Sequence, residues 1–457
     1  MTDVSEGASK VAEPALLRVM GPKLLLFFVV GDIIGTGVYA LTGQVAGRVG
    51  GALWLPFLLA FVVAFMTAFS YLELVGKYPR AAGAALYTNK AFGVPFLTFM
   101  VAFAVMCSGI TSASSAAVAF GATYLAAFVK LPTVLVGIAF VILLALINFR
   151  GVGESVKANV VLTCIELSGL LIIIGVGVWA VLNGDGEPSR LVEIDTADKT
   201  WLVAISSATS LAFFAMVGFE DSVNMAEECH DPVRIFPRAM LWGMVIAATI
   251  YVLVSVTSSL LVPAAELAGA KSDALLKVLD VGAPGFPREI FSAIGLFAVI
   301  NSALINMLMA SRLLYGLANE RVLPPVFGRV HPTRRTPWVS IIFTSVIAIG
   351  LVSFVDISAL GGTTALLLLV VFAIVNIALL VLRKDKVSHK HFRAPTAVPV
   401  LAAVFCLYLV SPLSGRPAQD YQVAGILLAV GVLLWVVNLL VKRALSGASS
   451  RPGATRR

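Results

Sequence analysis

The stretch 31-GDIIGTGVYALTG-43 lies inside an apolar run that otherwise has the make-up of a membrane-crossing helix. Four glycines, with Asp32 and Thr36 among them, are a poor choice for a segment that only has to cross lipid. Glycine weakens a helix interior by about 1 kcal/mol relative to alanine. Lipid offers no partner for a freed amide or carbonyl, so an interrupted helix survives only where protein or a water-filled cavity surrounds it. The stretch therefore predicts a broken helix at the heart of a larger assembly.

The rest of the chain supplies that assembly. Of its 457 residues 59% are hydrophobic and 13% charged, and the mean hydropathy is +0.97. A soluble chain of this length has no way to bury so much apolar surface, so the class is an all-α, multi-pass integral membrane protein. Each crossing needs about 20 apolar residues. About 12 spans are predicted, at roughly 24–47, 52–76, 94–129, 132–149, 156–182, 201–228, 239–262, 288–317, 338–355, 358–382, 397–413 and 422–441. The third, sixth and eighth exceed the needed length, which predicts tilt or interruption there.

Charge gives the expected orientation. With the N-terminus inside, 25 of the 33 Lys and Arg fall on the cytoplasmic side and 8 outside, as the positive-inside rule requires. Both termini are then cytoplasmic, in a plasma membrane of the bacterial inner-membrane type. The formal charge of +8 belongs to topology and contact with lipid headgroups, and no nucleic-acid partner is expected. No apolar core precedes Leu24, so the first span itself is the expected targeting signal. The polar ends, about 1–20 and 444–457, read as disordered tails. Cys107, Cys164, Cys229 and Cys406 are scattered without ligand spacing and read as small apolar fillers. No metal site is expected, the pair His389 and His391 included. No motif specifies an oligomeric state.

A second interruption occurs at 213-FFAMVGFEDSVNMAEE-228, where Gly218 is followed by Glu220 and Asp221. The two breaks fall in spans one and six. These open two five-span units, 24–182 and 201–382, with 397–441 left as two further spans between the tails 1–23 and 442–457. Five is odd, so the second unit enters from the opposite side and the repeat is inverted. Matched broken helices in inverted repeats point to the binding site of a secondary transporter. The freed N–H groups at such a break attract an anion and the freed carbonyls a cation. An α-amino acid carries both charges.

Four segments, in order and in register, resemble the amino acid–polyamine–organocation transporters: IIGTGV at 33–38, YLELVGKYPRAAGAALYTNKAFG at 71–93, the sixth-span segment with DPVRIFPRAM at 231–240, and SRLLYGLANERVLP at 311–324. The resemblance covers nearly the whole chain. It implies a LeuT-type fold with the substrate between spans one and six, at 33–37 (Gly35 included) and 214–219. Thr36 and Gly37 would present backbone N–H groups to a carboxylate. Ile33, Phe214 and Val217 would present carbonyls to an α-amino group, beside Gly218, and Phe214 and Phe219 would cap or line the pocket. Where proton-coupled bacterial relatives can carry a lysine in span five, 151-GVGESVKANVVLTCIE-166 places Glu166.

Ionisable groups at membrane depth are functional candidates. Glu166, about 15 Å into its span, reads as a proton carrier. A neutral acid bonded to a neighbouring helix, or a sodium ligand, are the alternatives. Asp32 ends the first half-helix, where exposed carbonyls disfavour negative charge, and a structural hydrogen bond is its expected role. Glu220 begins the second half-helix, either capping it or setting the site's electrostatics. Glu73 is expected to pair with Lys77 one turn on. Glu227 and Glu228 read as solvated surface, with a cytoplasmic gate as the alternative.

Gly35-Thr36-Gly37 also begins like a dinucleotide fingerprint, but no strand or βαβ unit flanks it, which excludes a nicotinamide enzyme. Gly31/Gly35 and Gly43/Gly47 fit helix-packing seams. The expectation is a permease for amino acids or related amines, making no covalent change and needing no cofactor. Proton-coupled uptake is favoured, with Glu166 and then Asp32 as the titrating groups, Glu220 as a further coupling candidate, and sodium open. Ion-free exchange is the first alternative, and a sensor or channel the second.

Overall fold

The computed structural model describes residues 20–79, 83–150, 155–195, 200–319, 323–334 and 336–449, without the side chains of 155–158, 224, 225, 227, 228, 319 and 441–449. Among these residues the chain is helical, and a lone bridge joins Met20 to Cys229.

The first predicted span is two helices, α1 (Pro22–Ile33) and α2 (Thr36–Val49), separated at Ile34 and Gly35. Then come α3 (Trp54–Lys77), a short α4 (Gly83–Phe92) and α5 (Pro95–Ala119). Next are α6 (Thr133–Arg150) and α7 (Ser155–Asn183). The sixth span begins as α8 (Trp201–Ala212), tightens to a 3-10 turn at Phe213–Met216, unwinds, and resumes as a 3-10 segment at Asp221–Glu228. After α9 (Pro232–Leu261), two short helices, α10 (Ala264–Ala270) and α11 (Ala274–Gly282), precede α12 (Arg288–Asn319). The chain closes with α13 (Trp338–Phe354), α14 (Ile357–Leu382), α15 (Ala397–Val410) and α16 (Ala418–Ser449).

Among the described residues ten spans are long and apolar enough to cross a membrane, and α13 and α15 are shorter apolar helices. The fold is a multi-pass membrane protein. Prolines open α1, α5 and α9, where the missing N–H has no intrahelical partner to lose and φ is preset. Large apolar side chains such as Trp179, Leu182, Val346 and Ile426 stand exposed on the outer surface, the reverse of a soluble protein and suited to lipid.

The long third and eighth spans take definite form, and one expectation, at the C-terminal tail, changes. The third span continues past Ala119 through a π-helical turn (Phe120–Tyr124) and a 3-10 turn (Leu125–Ala127), so its extra length is a change of pitch. The eighth span, α12, is one uninterrupted helix of 32 residues, and its length demands tilt or projection instead. The last helix runs to Ser449, so 444–449 is helical where a tail was expected. The remaining tail residues, 1–19 and 450–457, lie outside the described residues, as does part of the 71–93 segment at 80–82.

The two broken spans run antiparallel through the centre. The start of α1 meets the end of the second: Met20 bridges to Cys229, and His230 N–H donates to Met20 O at 3.2 Å. The end of α2 meets the start of α8, where Arg48 Nη1 donates to Ser207 O at 3.0 Å. Between these anchors the breaks touch. A Cβ on Gly37 would lie 2.5 Å from Ala215 Cα, and one on Gly218 would lie 2.6 Å from Asp32 O. Both distances are too short for any side chain, so these glycines are there to let two unwound backbones meet.

Candidate functional site

The breaks leave backbone groups that must find partners, and the structure shows where each goes. Gly35 N–H donates to Ile33 O at 2.9 Å, and the Tyr251 hydroxyl of α9 donates to the same carbonyl at 2.6 Å. In the second break Val217 N–H donates to Phe214 O at 3.3 Å and Asp221 N–H to Gly218 O at 3.0 Å. Gly218, at φ +125°, holds a conformation that side-chain-bearing residues rarely adopt. Its amide donates to Glu220 Oε2 at 2.9 Å. Glu220 thus caps the unwound turn in place of a helical carbonyl.

Where the breaks face each other they border a small cavity of about 20 Å³. Asp32, Ile33, Gly35, Thr36 and Gly37 line it from the first span, and Phe214, Val217, Gly218 and Asp221 from the sixth. Ser112 of α5 and Ser302 and Asn306 of α12 complete the wall. No lysine, arginine or histidine is among the lining residues. The cavity therefore offers carboxylate and hydroxyl oxygens together with the amides at the start of α2. Such a wall suits a ligand with a positive group on one part and an acceptor on another.

Eight of the sequence-predicted residues are brought together here, and three are not. Phe219 is fully buried outside the wall, packed at 5.8 Å from the Tyr71 ring and 5.2 Å from the Phe372 ring. Glu220 is turned back to Gly218. Glu166 lies on α7, fully buried, with Oε1 accepting from Asn301 Nδ2 at 3.2 Å and its backbone carbonyl accepting from the Tyr39 hydroxyl at 2.6 Å. Its Oε2 is buried without a hydrogen-bond partner among the described residues.

Asp32 departs from the structural hydrogen bond expected of it. Among the described residues its side chain makes none, and Oδ2 is buried and unpartnered. The end of α1 offers only carbonyls, which a carboxylate cannot use as acceptors. Ser112, Asp221, Ser302 and Asn306 were not chosen from the sequence. The legible signal was polar side chains at one-turn spacing in an otherwise apolar helix, as at Ser302 and Asn306.

Other polar groups prove structural. The expected Glu73–Lys77 pair is replaced by Glu73–Arg383, 2.8 Å, with Ala394 N–H also donating to Glu73 Oε2 at 2.8 Å. Lys77 instead donates to Leu382 O at 2.5 Å and Asp385 O at 2.7 Å. One helical turn brings Lys77 near, but the end of α14 supplies a planar guanidinium that meets both carboxylate oxygens. His389 Nε2 lies 2.7 Å from Gly76 O, so that histidine packs a loop, and no metal-binding group is found among the described residues. Among the described residues no disulfide forms: Cys164 is exposed, and Cys107, Cys229 and Cys406 are buried. Gly43 and Gly47 pack closely on α10 and the turn after it, which is the packing use of glycine. The side chains of Glu227 and Glu228 lie outside those described.

Comparison with known proteins agrees with this architecture. The family model for amino acid permeases matches residues 21–438. The methylthioribose transporter of Bacillus subtilis (strain 168) is 27% identical over 444 residues, covering 92% of this chain and 93% of that protein. The branched-chain amino acid permease BcaP of the same organism is 24% identical, over 88% of this chain and 90% of that one. The low-affinity putrescine importer PlaP of Escherichia coli (strain K12) is 27% identical over 68% of this chain and 69% of its own. With a family match spanning nearly all its helices, the chain belongs to the amino acid permease family of membrane transporters.

Proposed function

We propose that this permease carries an amino acid or a closely related amine across the plasma membrane by alternating access, with uptake driven by protons. The carrying observation is the cavity where the two interrupted helices meet. It has an unpartnered Asp32 oxygen on one side and the free amide end of α2 at Thr36 and Gly37 on the other. When the two breaks part to admit it, a zwitterion or amine neutralises the carboxylate and uses the amides, without any covalent step. The substrate ammonium sits near Asp32 and the carbonyls of Phe214 and Val217. Ile33 O, already accepting two hydrogen bonds, contributes little to it.

The proposed architecture is the LeuT-like inverted repeat of 24–182 and 201–382, with α15 and α16 appended and both termini cytoplasmic. The antiparallel course of the two broken spans supports it. So does the placement of basic residues. Permeases of this family include proteins named for a branched-chain amino acid, a methylthioribose and putrescine. The substrates to offer follow from that range.

Glu166 is the proposed proton carrier. It is fully buried, with one oxygen unpartnered, and Asp32 beside the cavity lies within electrostatic reach of it. The test is purified protein in liposomes, offered labelled amino acids and amines under imposed pH or sodium gradients. Accumulation of at least one under an inward proton gradient is the expected result. Absence of both accumulation and exchange for every compound overturns the transport reading. Exchange without any gradient response points to an antiporter. Glu166→Gln should abolish pH-driven accumulation, and unchanged accumulation removes Glu166 from the mechanism.

A further inference from the structure

Four unpartnered polar atoms lie on one helix. On α7, Asn159 (4% exposed), Thr163 (0%) and Glu166 (0%) are all buried. Asn159 Oδ1 and Nδ2, Thr163 Oγ1 and Glu166 Oε2 have no hydrogen-bond partner among the described residues. The spacing i, i+4, i+7 puts the three side chains on one face. That face is turned inward. Gly31 of α1 packs so closely on Thr163 that a Cβ there would lie 1.9 Å from Thr163 Oγ1. Asn301 of α12 holds the other Glu166 oxygen.

Buried polar groups are almost always satisfied, and each one left bare costs about 1–3 kcal/mol. Water is the partner that can satisfy a contiguous row of bare groups in an apolar bundle. From Asn159 to Glu166 the row covers about 10 Å along the helix axis. It starts within two turns of the N-terminal end of α7, the end that the charge distribution places at the cytoplasm, and it stops at Glu166.

Resting on the proton-coupled reading above, we propose that Asn159 and Thr163 line a hydrated path joining Glu166 to the cytoplasm, separate from the substrate cavity. None of these three residues lines the cavity. Glu166 Oε2 takes a proton from hydronium when the site faces outward, becoming the neutral acid and releasing water. When the site opens inward, it passes that proton to the adjoining water, which leaves as hydronium along Thr163 and Asn159 and regenerates the carboxylate. The titratable groups acting electrostatically with Glu166 are Asp32 of α1, Tyr39 of α2 and Tyr251 of α9. From α12 the facing group is the neutral Asn301. Among the described residues no lysine or arginine is one of these partners, which leaves Glu166 free to be neutralised by a proton. Asp32 belongs to both neighbourhoods and connects substrate occupancy to Glu166.

Asn159 and Thr163 are thus positioning residues for water, and the test separates that role from a structural one. Thr163→Val and Asn159→Leu exchange bare polar atoms for apolar ones of similar size, which leaves folding stability unchanged or raised. In liposomes the double variant should lose pH-driven accumulation and substrate-driven proton flux by roughly tenfold or more, with substrate–substrate exchange retained. Thr163→Ser, which keeps the hydroxyl, should restore the flux. Unchanged proton flux in the double variant overturns the path, as does a Thr163→Ser variant no better than Thr163→Val. Asn159→Cys, in a background where the exposed Cys164 is serine, should react with a small polar thiol reagent from the cytoplasmic side. No reaction from that side also overturns the path, whatever the transport result. If Glu166→Gln leaves accumulation intact, proton coupling through Glu166 fails, an outcome distinct from the path failing while Glu166 remains essential.

Discussion

At the scale of single residues, glycine serves two purposes that look alike in the sequence. Gly218 sits at φ +125° with Asp32 O where a Cβ would go, and Gly37 faces the Ala215 backbone in the same way. Gly316 of α12 has open space around it. Gly218→Ala should therefore destabilise the protein by about 1–3 kcal/mol and sharply reduce uptake. Gly316→Ala should be neutral or stabilising by up to about 1 kcal/mol. Thermal melting in detergent together with uptake in liposomes checks both, and a harmless Gly218→Ala would contradict the close approach of the breaks. The sequence marked the glycines and acids of the breaks because such residues are out of place in lipid. It could not mark which acid stays bare: Glu220 folds back on Gly218, whereas Asp32 does not, and only the backbone path distinguishes them.

At the scale of elements, local spacing misled in one instance. Glu73 and Lys77 are one turn apart on α3, yet Glu73 pairs with Arg383 at the end of α14. A pair between α3 and α14 depends on how helices distant in sequence dock, and no periodicity encodes that. Removing one partner of a buried pair costs about 3–5 kcal/mol, so Arg383→Ala should lower the melting temperature markedly. A double-mutant cycle should give a large coupling for Glu73 with Arg383 and a small one for Glu73 with Lys77. The reverse order would restore the one-turn pair. The predicted spans fared better, because each is a long apolar run whose length is set by the membrane.

At the scale of the whole molecule, a single arginine outside the spans ties four helices. Arg416 is buried, donating to Gly362 O at 2.7 Å and to Asp420 Oδ2 at 3.1 Å, and to Ser210 O and Leu409 O at 3.3 Å each. It thereby joins α14 and α16 to α8 and α15. Nearby, Arg48 joins α2 to α8 and α14 through Ser207 O and Ser358 Oγ. Together they clamp the end of the bundle opposite Met20. Arg416→Met removes the donors to three carbonyls and leaves the buried Asp420 without its hydrogen-bonded guanidinium, with Arg48 acting on it only through space. It should destabilise the fold by about 3–5 kcal/mol. The loss should depend little on salt, since a buried pair is weakly screened. Melting curves at low and high ionic strength test this, and a strongly salt-dependent loss would mean the pair is open to solvent.

Membrane class, the run of spans, the two interruptions and the candidate acids were decided by the sequence alone. Each is a local property, written as apolar length or as polar residues that lipid does not tolerate. The wall of the cavity was decided only by tertiary structure. Ser112, Ser302 and Asn306 join Asp32 and Asp221 there because α5 and α12 pack beside the breaks. The bare face of Asn159, Thr163 and Glu166 was likewise undecided until α1 and α12 closed over it. Hydrogen bonding is a relation between residues far apart in the chain, so which polar groups remain without a partner is settled only when the helices have packed.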